Sequence, residues 1–271
     1  MDATATTGAA TMLPLAMDAP PPRQPEPAHD IATNQQIGEA ALLALLKRRD
    51  PDRLLVTLFA PPSRRLALAA LYAFGHELAR VPEMASEPAL GLIRLQWWRE
   101  VTDGGRPRHE VASPLGAALD ASLLDAGDLR ALLAAREEEL AGPLLGVAAW
   151  QAHIAATEGA LAAAAGRALG ATAPERTRLA ALGTAYGVAR LLLRMEPSAR
   201  AEAAELATWG RRQLASAGGR LPYPLLGAGL IGTLARRDLH RLARNRLEAG
   251  FSPRGLGDRL AVFAAAAIGR V

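Results

Sequence analysis

Helical periodicity interrupted by proline and glycine constrains the fold of this chain more than any other feature. In the first apolar segment, Leu42, Leu45 and Leu46 recur at the spacing of one helix face. That helix is expected to end near Asp50, because the residue before a proline is pushed out of the α region. The same reasoning predicts helices over residues 38–49, 63–80, 88–102, 149–169, 173–195, 199–217, 230–248 and 253–269. It also predicts a short helix that starts at residue 51 and one or two helices within 120–140. No segment predicts a strand.

The kinds of apolar residue agree with a helical fold. Hydrophobic residues make up 50% of the chain but aromatic residues only 4%, so alanine and leucine dominate, and both favour helices. No stretch offers the ~18 consecutive apolar residues that a membrane-spanning helix needs. The nearest, 221–235, contains Pro222 and Pro224. We therefore predict an all-α, single-domain helical bundle that is large enough to bury a substantial core.

The first 35 residues differ from the rest in composition. They are rich in alanine, threonine and proline, and such a segment cannot bury enough apolar surface to offset the entropy of ordering. We predict a disordered tail over 1–35 and one helical domain over 36–271. The tail lacks the charged and apolar regions of a secretory leader, so a cytoplasmic protein is expected, with peripheral contact at the inner membrane left open.

Composition and missing motifs exclude several classes of function. The chain has no cysteine, which excludes disulfides, thiolate zinc sites and cysteine nucleophiles. Its histidines are scattered without HExxH spacing, and there is no P-loop and no Gly-x-Ser-x-Gly turn. All basic residues except Lys47 are arginine, which reflects either a GC-rich genome or contact with phosphate groups. Without a dense basic run or an aromatic platform, no nucleic-acid partner is expected.

Five segments together carry a resemblance to a known family. They are FAPPSRRLALAALYAF (59–74), SEPALGLIRLQWWREV (86–101), EGALAAAAGRALG (158–170), LGTAYGVARLLLR (182–194) and GRLPYPLL (219–226). In this order and spacing, they resemble the squalene/phytoene synthase family of head-to-head prenyltransferases over nearly everything after residue 50. The resemblance implies an isoprenoid-synthase-like helical bundle around a central cavity.

Active members of that family carry two aspartate-rich motifs that face each other across the cavity. Carboxylates four residues apart share one helix face, and opposed pairs hold the Mg²⁺ that assists departure of the diphosphate. The resemblance places these motifs at Ala79, Arg80 and Glu83, and at Met195, Ser198 and Ala199. Glu83 is the only acid among the six positions. Both motifs are therefore degenerate, and no catalytic residue is assigned.

The sequence is most similar to a divergent branch of the family, the one that includes a mitochondrial complex I assembly factor. The shared features are the runs at 70–74, 78–81, 86–88, 94–99 and 192–197. They imply a non-catalytic assembly factor or lipid- or isoprenoid-binding protein, with respiratory complex subunits of the inner membrane as partners and no cofactor. The alternative is a Mg²⁺-dependent prenyltransferase that condenses prenyl diphosphates head to head, and only then would Mg²⁺ be needed.

Several further side chains are candidates for a binding role. Glu83 and Glu87 are the remaining candidates for metal ligands, although acids also suit a solvated helix N-terminus. The candidates for anion binding or for lining the cavity are Arg80, Arg94, Arg99, Arg194, Tyr72, Phe74 and Trp98. The arginines could instead pair with nearby glutamates. Small residues at 183, 185 and 187 predict close helix packing.

Overall fold

The computed structural model describes residues 28–85, 87–195, 200–244 and 254–271, with backbone alone at 28–37 and 200. The α-helices are α1 (Ala28–Arg49), α2 (Pro51–Thr57), α3 (Pro62–Met84), α4 (Pro88–Thr102), α5 (Ala112–Asp120), α6 (Ala126–Ala141), α7 (Gly146–Ile154), α8 (Ala160–Ala168), α9 (Ala173–Leu192), α10 (Arg200–Ala217), α11 (Leu226–Gly229), α12 (Ile231–Ala243) and α13 (Leu256–Ile268). A π-helical segment, Ala155–Gly159, joins α7 to α8, and a short 3-10 turn, Tyr223–Leu225, precedes α11.

The predicted all-α class is confirmed. Across the described ranges the backbone forms no β-strand, and only an isolated bridge joins Arg220 to Arg270. None of the helices in these ranges is long and apolar enough to cross a membrane.

Several helix boundaries differ from the prediction. Helix α1 spans Ala28–Arg49, so residues 28–35 of the predicted tail are helical. The order of residues 1–27 stays a prediction, since they lie outside the described residues. The single helix predicted over 149–169 is divided by the π segment, and α5 was not predicted.

The ends of α3 show how local context overrides simple helix rules. The helix was predicted to start at residue 63, but it starts one residue earlier, and Pro61 occupies the cap position without any side-chain hydrogen bond. Pro62 takes the first helical position, where the missing N–H costs nothing. The prediction ended the helix at residue 80, yet α3 continues through Pro82 to Met84. Since Pro82 lies in the last turn, few backbone hydrogen bonds are affected.

Two helices pass through the core and position the cavity. Helix α3 is buried from Ala67 to Gly75, and α9 is buried from Leu182 to Ala189. Helix α9 packs against α8, α10, α12 and the π segment. A Cβ added at Gly183 would lie 2.4 Å from the backbone oxygen of Glu158, and this confirms the close packing predicted from the small residues.

Candidate functional site

A cavity of about 370 Å³ lies between α3, α9 and the π segment, next to the start of α2. Half of its lining residues are charged, unlike those of a typical apolar ligand pocket. Among the described residues, the charged lining consists of six arginines and four carboxylates: Arg49, Arg53, Arg80, Arg136, Arg190, Arg194, Asp50, Glu83, Glu139 and Glu158.

Arg53 lies at the centre of the charged lining. Its Nη1 donates to Asp50 Oδ2 at 3.1 Å, and its Nη2 donates to Glu158 Oε2. The guanidinium also lies 5.3 Å from the ring centroid of Tyr72 and 5.6 Å from that of Tyr186. Burial alone would lower the pKa of Arg53, but Glu158 and Asp50 outweigh it and raise the pKa above its ordinary value. Arg53 is therefore a permanent, buried cation between two carboxylates.

The π segment presents Glu158 to this cation. A π turn inserts one residue into a helix and commonly occurs at functional sites. Here it precedes the alanine-rich α8, whose small side chains allow close packing. Burial would raise the pKa of Glu158, but Arg53 and Arg136 outweigh burial and lower it. The carboxylate is thus ionised and already neutralised by arginine.

A second ion pair lies on the α6 side of the cavity. Arg136 Nη1 donates to Glu139 Oε2 at 2.7 Å, and His153 Nε2 lies 3.6 Å from the same oxygen. Burial lowers the pKa of His153, so its ring is neutral near pH 7. Burial likewise lowers the pKa of His76, whose Nε2 has no hydrogen-bond partner among the described residues.

The first degenerate motif lines the cavity. Ala79, Arg80 and Glu83 all border it. Arg80 lies 3.6 Å from Glu77, and Glu83 accepts a hydrogen bond from Arg194 at 3.2 Å. An ion pair therefore joins α3 to the turn after α9, close to both positions where an active family member would present metal ligands.

The second motif is only partly described. Met195 follows α9 and packs against the core, and it does not line the cavity. Ser198 and Ala199 lie outside the described residues. Arg194, immediately before this motif, lines the cavity.

The predicted aromatic candidates belong to the core. Tyr72 is buried under Arg53 and donates a hydrogen bond to Gly227 O at 3.0 Å. The rings of Phe74 and Trp98 meet edge to face at 5.2 Å, and neither residue lines the cavity.

The remaining charged candidates lie elsewhere. Arg99 pairs with Glu137 at 2.5 Å, and Arg94 contacts Met84 Sδ at 3.6 Å on an exposed surface. Glu87 is the exposed N-cap residue of α4. The structure does not bring Glu87 together with Glu83 at the cavity, because Glu87 is absent from its lining.

The cavity residues do not fit a Mg²⁺ cluster. Each of the four lining carboxylates is paired with an arginine of the same lining. Across the described residues, no three His, Cys, Asp or Glu side chains are grouped closely enough to hold a metal ion. A divalent cation would have to displace a guanidinium before it reached the oxygens.

Sequence reasoning missed the centre of this site, which consists of Asp50, Arg53, Glu158 and Tyr186. Two features of the sequence could have indicated these residues. Asp50, Asp52 and Arg53 form a charged cluster at a helix start, where Asp50 accepts from the Arg53 backbone N–H at 3.1 Å. Glu158 is the isolated acid that opens the small-residue run of α8.

A second arginine–carboxylate cluster lies behind the cavity wall; we call it the clasp, formed by Asp52, Asp238, Arg254 and Asp258. Arg254 donates to Asp52 Oδ2 at 2.7 Å and to Asp238 Oδ1 at 2.6 Å. Tyr186 O–H donates to Asp52 Oδ2 at 3.0 Å, so this tyrosine connects the clasp to the cavity. Burial, followed by the nearby Asp52, raises the pKa of Tyr186.

Comparison with solved structures shows the fold. The chain superimposes on a dehydrosqualene synthase with a TM-score of 0.70, over 87% of this chain and 97% of that one, at 10% sequence identity. At this identity the likeness carries no information on activity.

Comparison with curated sequences identifies a divergent branch. The chain is 34% identical over 102 residues to complex I assembly factor 6 of Bos taurus and 33% identical to that of Homo sapiens. The matched segment covers 36% of this chain and 31% of each relative. The squalene/phytoene synthase family model matches residues 46–206, more than half of the chain. The chain therefore belongs to the squalene/phytoene synthase family.

Proposed function

We propose that this protein is a non-catalytic member of its family that acts as an assembly factor for respiratory complex I. One observation carries the non-catalytic part: every carboxylate that lines the cavity in the described part of the chain is paired with an arginine. Prenyl transfer in this family needs such oxygens for Mg²⁺.

Energetics support this conclusion. Removing one partner of a buried ion pair costs about 3–5 kcal/mol, because the other charge is left uncompensated. A cation that took Asp50 and Glu158 from Arg53 would leave a guanidinium that is only 7% exposed without its partners. A fixed arginine cation also repels an incoming divalent ion. The site thus favours the metal-free state.

The assembly role is supported by the similarity to complex I assembly factor 6. Because the match covers 31% of that relative, respiratory complex subunits are proposed partners. An isoprenoid or lipid is a proposed ligand of the cavity, whose apolar lining includes Trp150, Ile154 and Leu191. Peripheral attachment at the inner membrane fits these partners.

Two assays test the two parts of this proposal. Purified protein incubated with Mg²⁺ and C15 or C20 prenyl diphosphate should release no diphosphate. Turnover that is lost in Glu83→Gln or Glu158→Gln would instead establish the prenyltransferase alternative.

Deletion of the gene in its own organism should lower the amount of assembled complex I, and the wild-type gene should restore it. Deletion of an unrelated soluble helical protein serves as the control. Normal complex I levels in the deletion strain would contradict the assembly role without affecting the conclusion on catalysis.

A further inference from the structure

The outward face of α13 is apolar. Leu256 is 73% exposed, Leu260 58% and Phe263 53%. These residues are spaced four and three apart and therefore lie along one side of the helix; we call them the α13 stripe. The buried side carries Asp258, Val262 and Ala265. A surface helix ordinarily buries its apolar face and exposes its polar one, so this helix requires another explanation.

The bundle holds α13 at both ends, and the stripe is therefore fixed in its outward orientation. At the start of the helix, Asp258 accepts hydrogen bonds from Arg237 at 2.6 Å and from Arg241. Beyond its end, Gly219 N donates to Val271 O at 3.1 Å. Turning the stripe inward would break both connections.

The apolar surface continues onto the turn between α2 and α3. The rings of Phe59 and Phe263 meet edge to face, with centroids 5.3 Å apart. Leu58, next to Phe59, is 50% exposed. Two elements distant in sequence therefore contribute to one exposed apolar patch, an arrangement that marks an interaction site.

Among the described residues 254–271, the exposed charges beside the stripe are arginines. Arg259 and Arg270 are exposed beside the stripe. Asp258 is the sole acid in the range 254–271, and it is only 2% exposed and paired with arginines. Arg220, bridged to Arg270, adds a further exposed arginine. An apolar stripe bordered by arginines complements a surface that is anionic outside and apolar beneath.

We propose that the α13 stripe docks onto the surface of an anionic lipid bilayer. In this arrangement the apolar side chains enter the boundary between headgroups and acyl chains, and Arg259 and Arg270 contact the anionic headgroups. The helix lies in the plane of the membrane surface. This inference is independent of complex I and of catalysis, because it uses none of the cavity residues.

Helix α4 shows what the charge argument excludes. It also exposes apolar side chains, with Leu92 47% and Ile93 66% exposed. However, the exposed acids Glu87 and Glu100 stand at its two ends and offset the exposed Arg94, so the exposed charges of this helix are of both signs. The α13 stripe and the exposed apolar side of α4 can therefore be compared directly, because they differ in the charges beside them.

The test is co-sedimentation of the full chain with vesicles of phosphatidylcholine, with and without about 30% phosphatidylglycerol. We expect binding to the anionic vesicles that weakens with salt. Leu256→Gln combined with Leu260→Gln should lower the partition coefficient by about tenfold or more, because two buried apolar side chains are lost. Arg259→Gln with Arg270→Gln should lower it several-fold on anionic vesicles alone.

Leu92→Gln combined with Ile93→Gln is the control, and its binding should equal that of the wild type. Circular dichroism melting should show all variants folded, since the substituted side chains are exposed. Equal binding by the α13 and α4 variants, or no wild-type binding to anionic vesicles, would overturn the proposal. If the wild type bound no vesicles but bound a protein partner that the α13 variant could not bind, the α13 stripe would be a protein interface instead.

Discussion

The cavity cluster of Asp50, Arg53 and Glu158 and the clasp around Arg254 use the same chemistry in different surroundings. In both, an arginine bridges two carboxylates from distant parts of the chain. The Glu158 side chain is 20% exposed beside an open cavity, whereas the side chains of Asp52 and Asp238 are 1% and 2% exposed. We infer from this difference in the exposure of the carboxylates that the two arginines have different roles: in the clasp the arginine holds the fold together, and in the cavity it competes with other cations for the carboxylates.

The largest expected effect comes from breaking the clasp. Arg254→Met leaves Asp52 and Asp238 buried without their shared cation, and it should destabilise the protein by about 3–5 kcal/mol in urea unfolding. Arg130→Met is the control, because the pair between Arg130 and Asp103 has side chains 47% and 50% exposed. That variant should lose no more than about 1 kcal/mol. Equal losses in the two variants would contradict the structural role of the clasp.

Breaking the cavity cluster should destabilise the protein less than breaking the clasp does, and it should create a weak metal site. Arg53→Met should destabilise by about 1–3 kcal/mol, because water in the cavity solvates Asp50 and Glu158 in part. The freed carboxylates should then take up Mn²⁺ weakly, so millimolar Mn²⁺ should raise the melting temperature of this variant. The wild type should show no such rise. A variant in which Asp50→Asn is added to Arg53→Met should lose the response, and a response that persisted would place the cation elsewhere.

Glu158 and His153 should affect the stability of the protein in different ranges of acidic pH. Burial raises the pKa of Glu158, but the arginines outweigh burial and lower this pKa below its ordinary 4.5. As the pH falls, Glu158 therefore takes up a proton in the unfolded protein before it does so in the folded protein. The ion-pair stabilisation is thus complete above about pH 4.5 and is lost as the pH falls through the folded-state pKa. The stability difference between wild type and Glu158→Gln should narrow in that window.

Burial lowers the pKa of His153 from 6.5, so its effect begins at a higher pH. Below pH 6.5 the unfolded state binds a proton that the folded state resists, and stability falls. His153→Gln should remove part of this earlier decline. Urea unfolding at a series of pH values measures both windows, and identical pH profiles for wild type and both variants would contradict the assigned shifts.

The smallest effect is expected at the exposed pair across the mouth of the cavity. The side chains of Glu83 and Arg194 are 60% and 62% exposed, so Glu83→Gln should change stability by less than about 1 kcal/mol. Thermal unfolding compared with Glu158→Gln tests this ordering. A loss from Glu83→Gln as large as that from Glu158→Gln would mean that the first-motif acid belongs to the buried cluster.

Much of the fold could be predicted from sequence, because helix periodicity and proline positions are local. The start of α4 at Pro88 and its end at Thr102 follow from such signals, and the glycines of α9 correctly indicated close packing. The π segment could not be predicted in this way. It depends on how α7 and α8 meet α9, and the local sequence contains no signal for the extra residue.

The candidate site was predicted only in outline. Family resemblance located Ala79, Arg80 and Glu83 on the cavity wall, as the structure shows. It gave no indication of Arg53, because the partner Glu158 is 105 residues away in sequence. Trp98 and Phe74 were candidates for lining the cavity, but large aromatic side chains also fill cores, and here they pack against each other.

We propose that the cavity binds no divalent metal, because Glu83 is the only acid left at the motif positions and every carboxylate of the described lining is paired with an arginine. The most direct measurement is calorimetric titration of Mn²⁺ into the wild-type protein in the presence of a non-hydrolysable prenyl diphosphate analogue. We expect the wild type to show no saturable metal binding at millimolar Mn²⁺ and the variant Arg53→Met to gain such binding. Saturable Mn²⁺ binding by the wild type that is abolished in Glu83→Gln or Glu158→Gln would contradict the account.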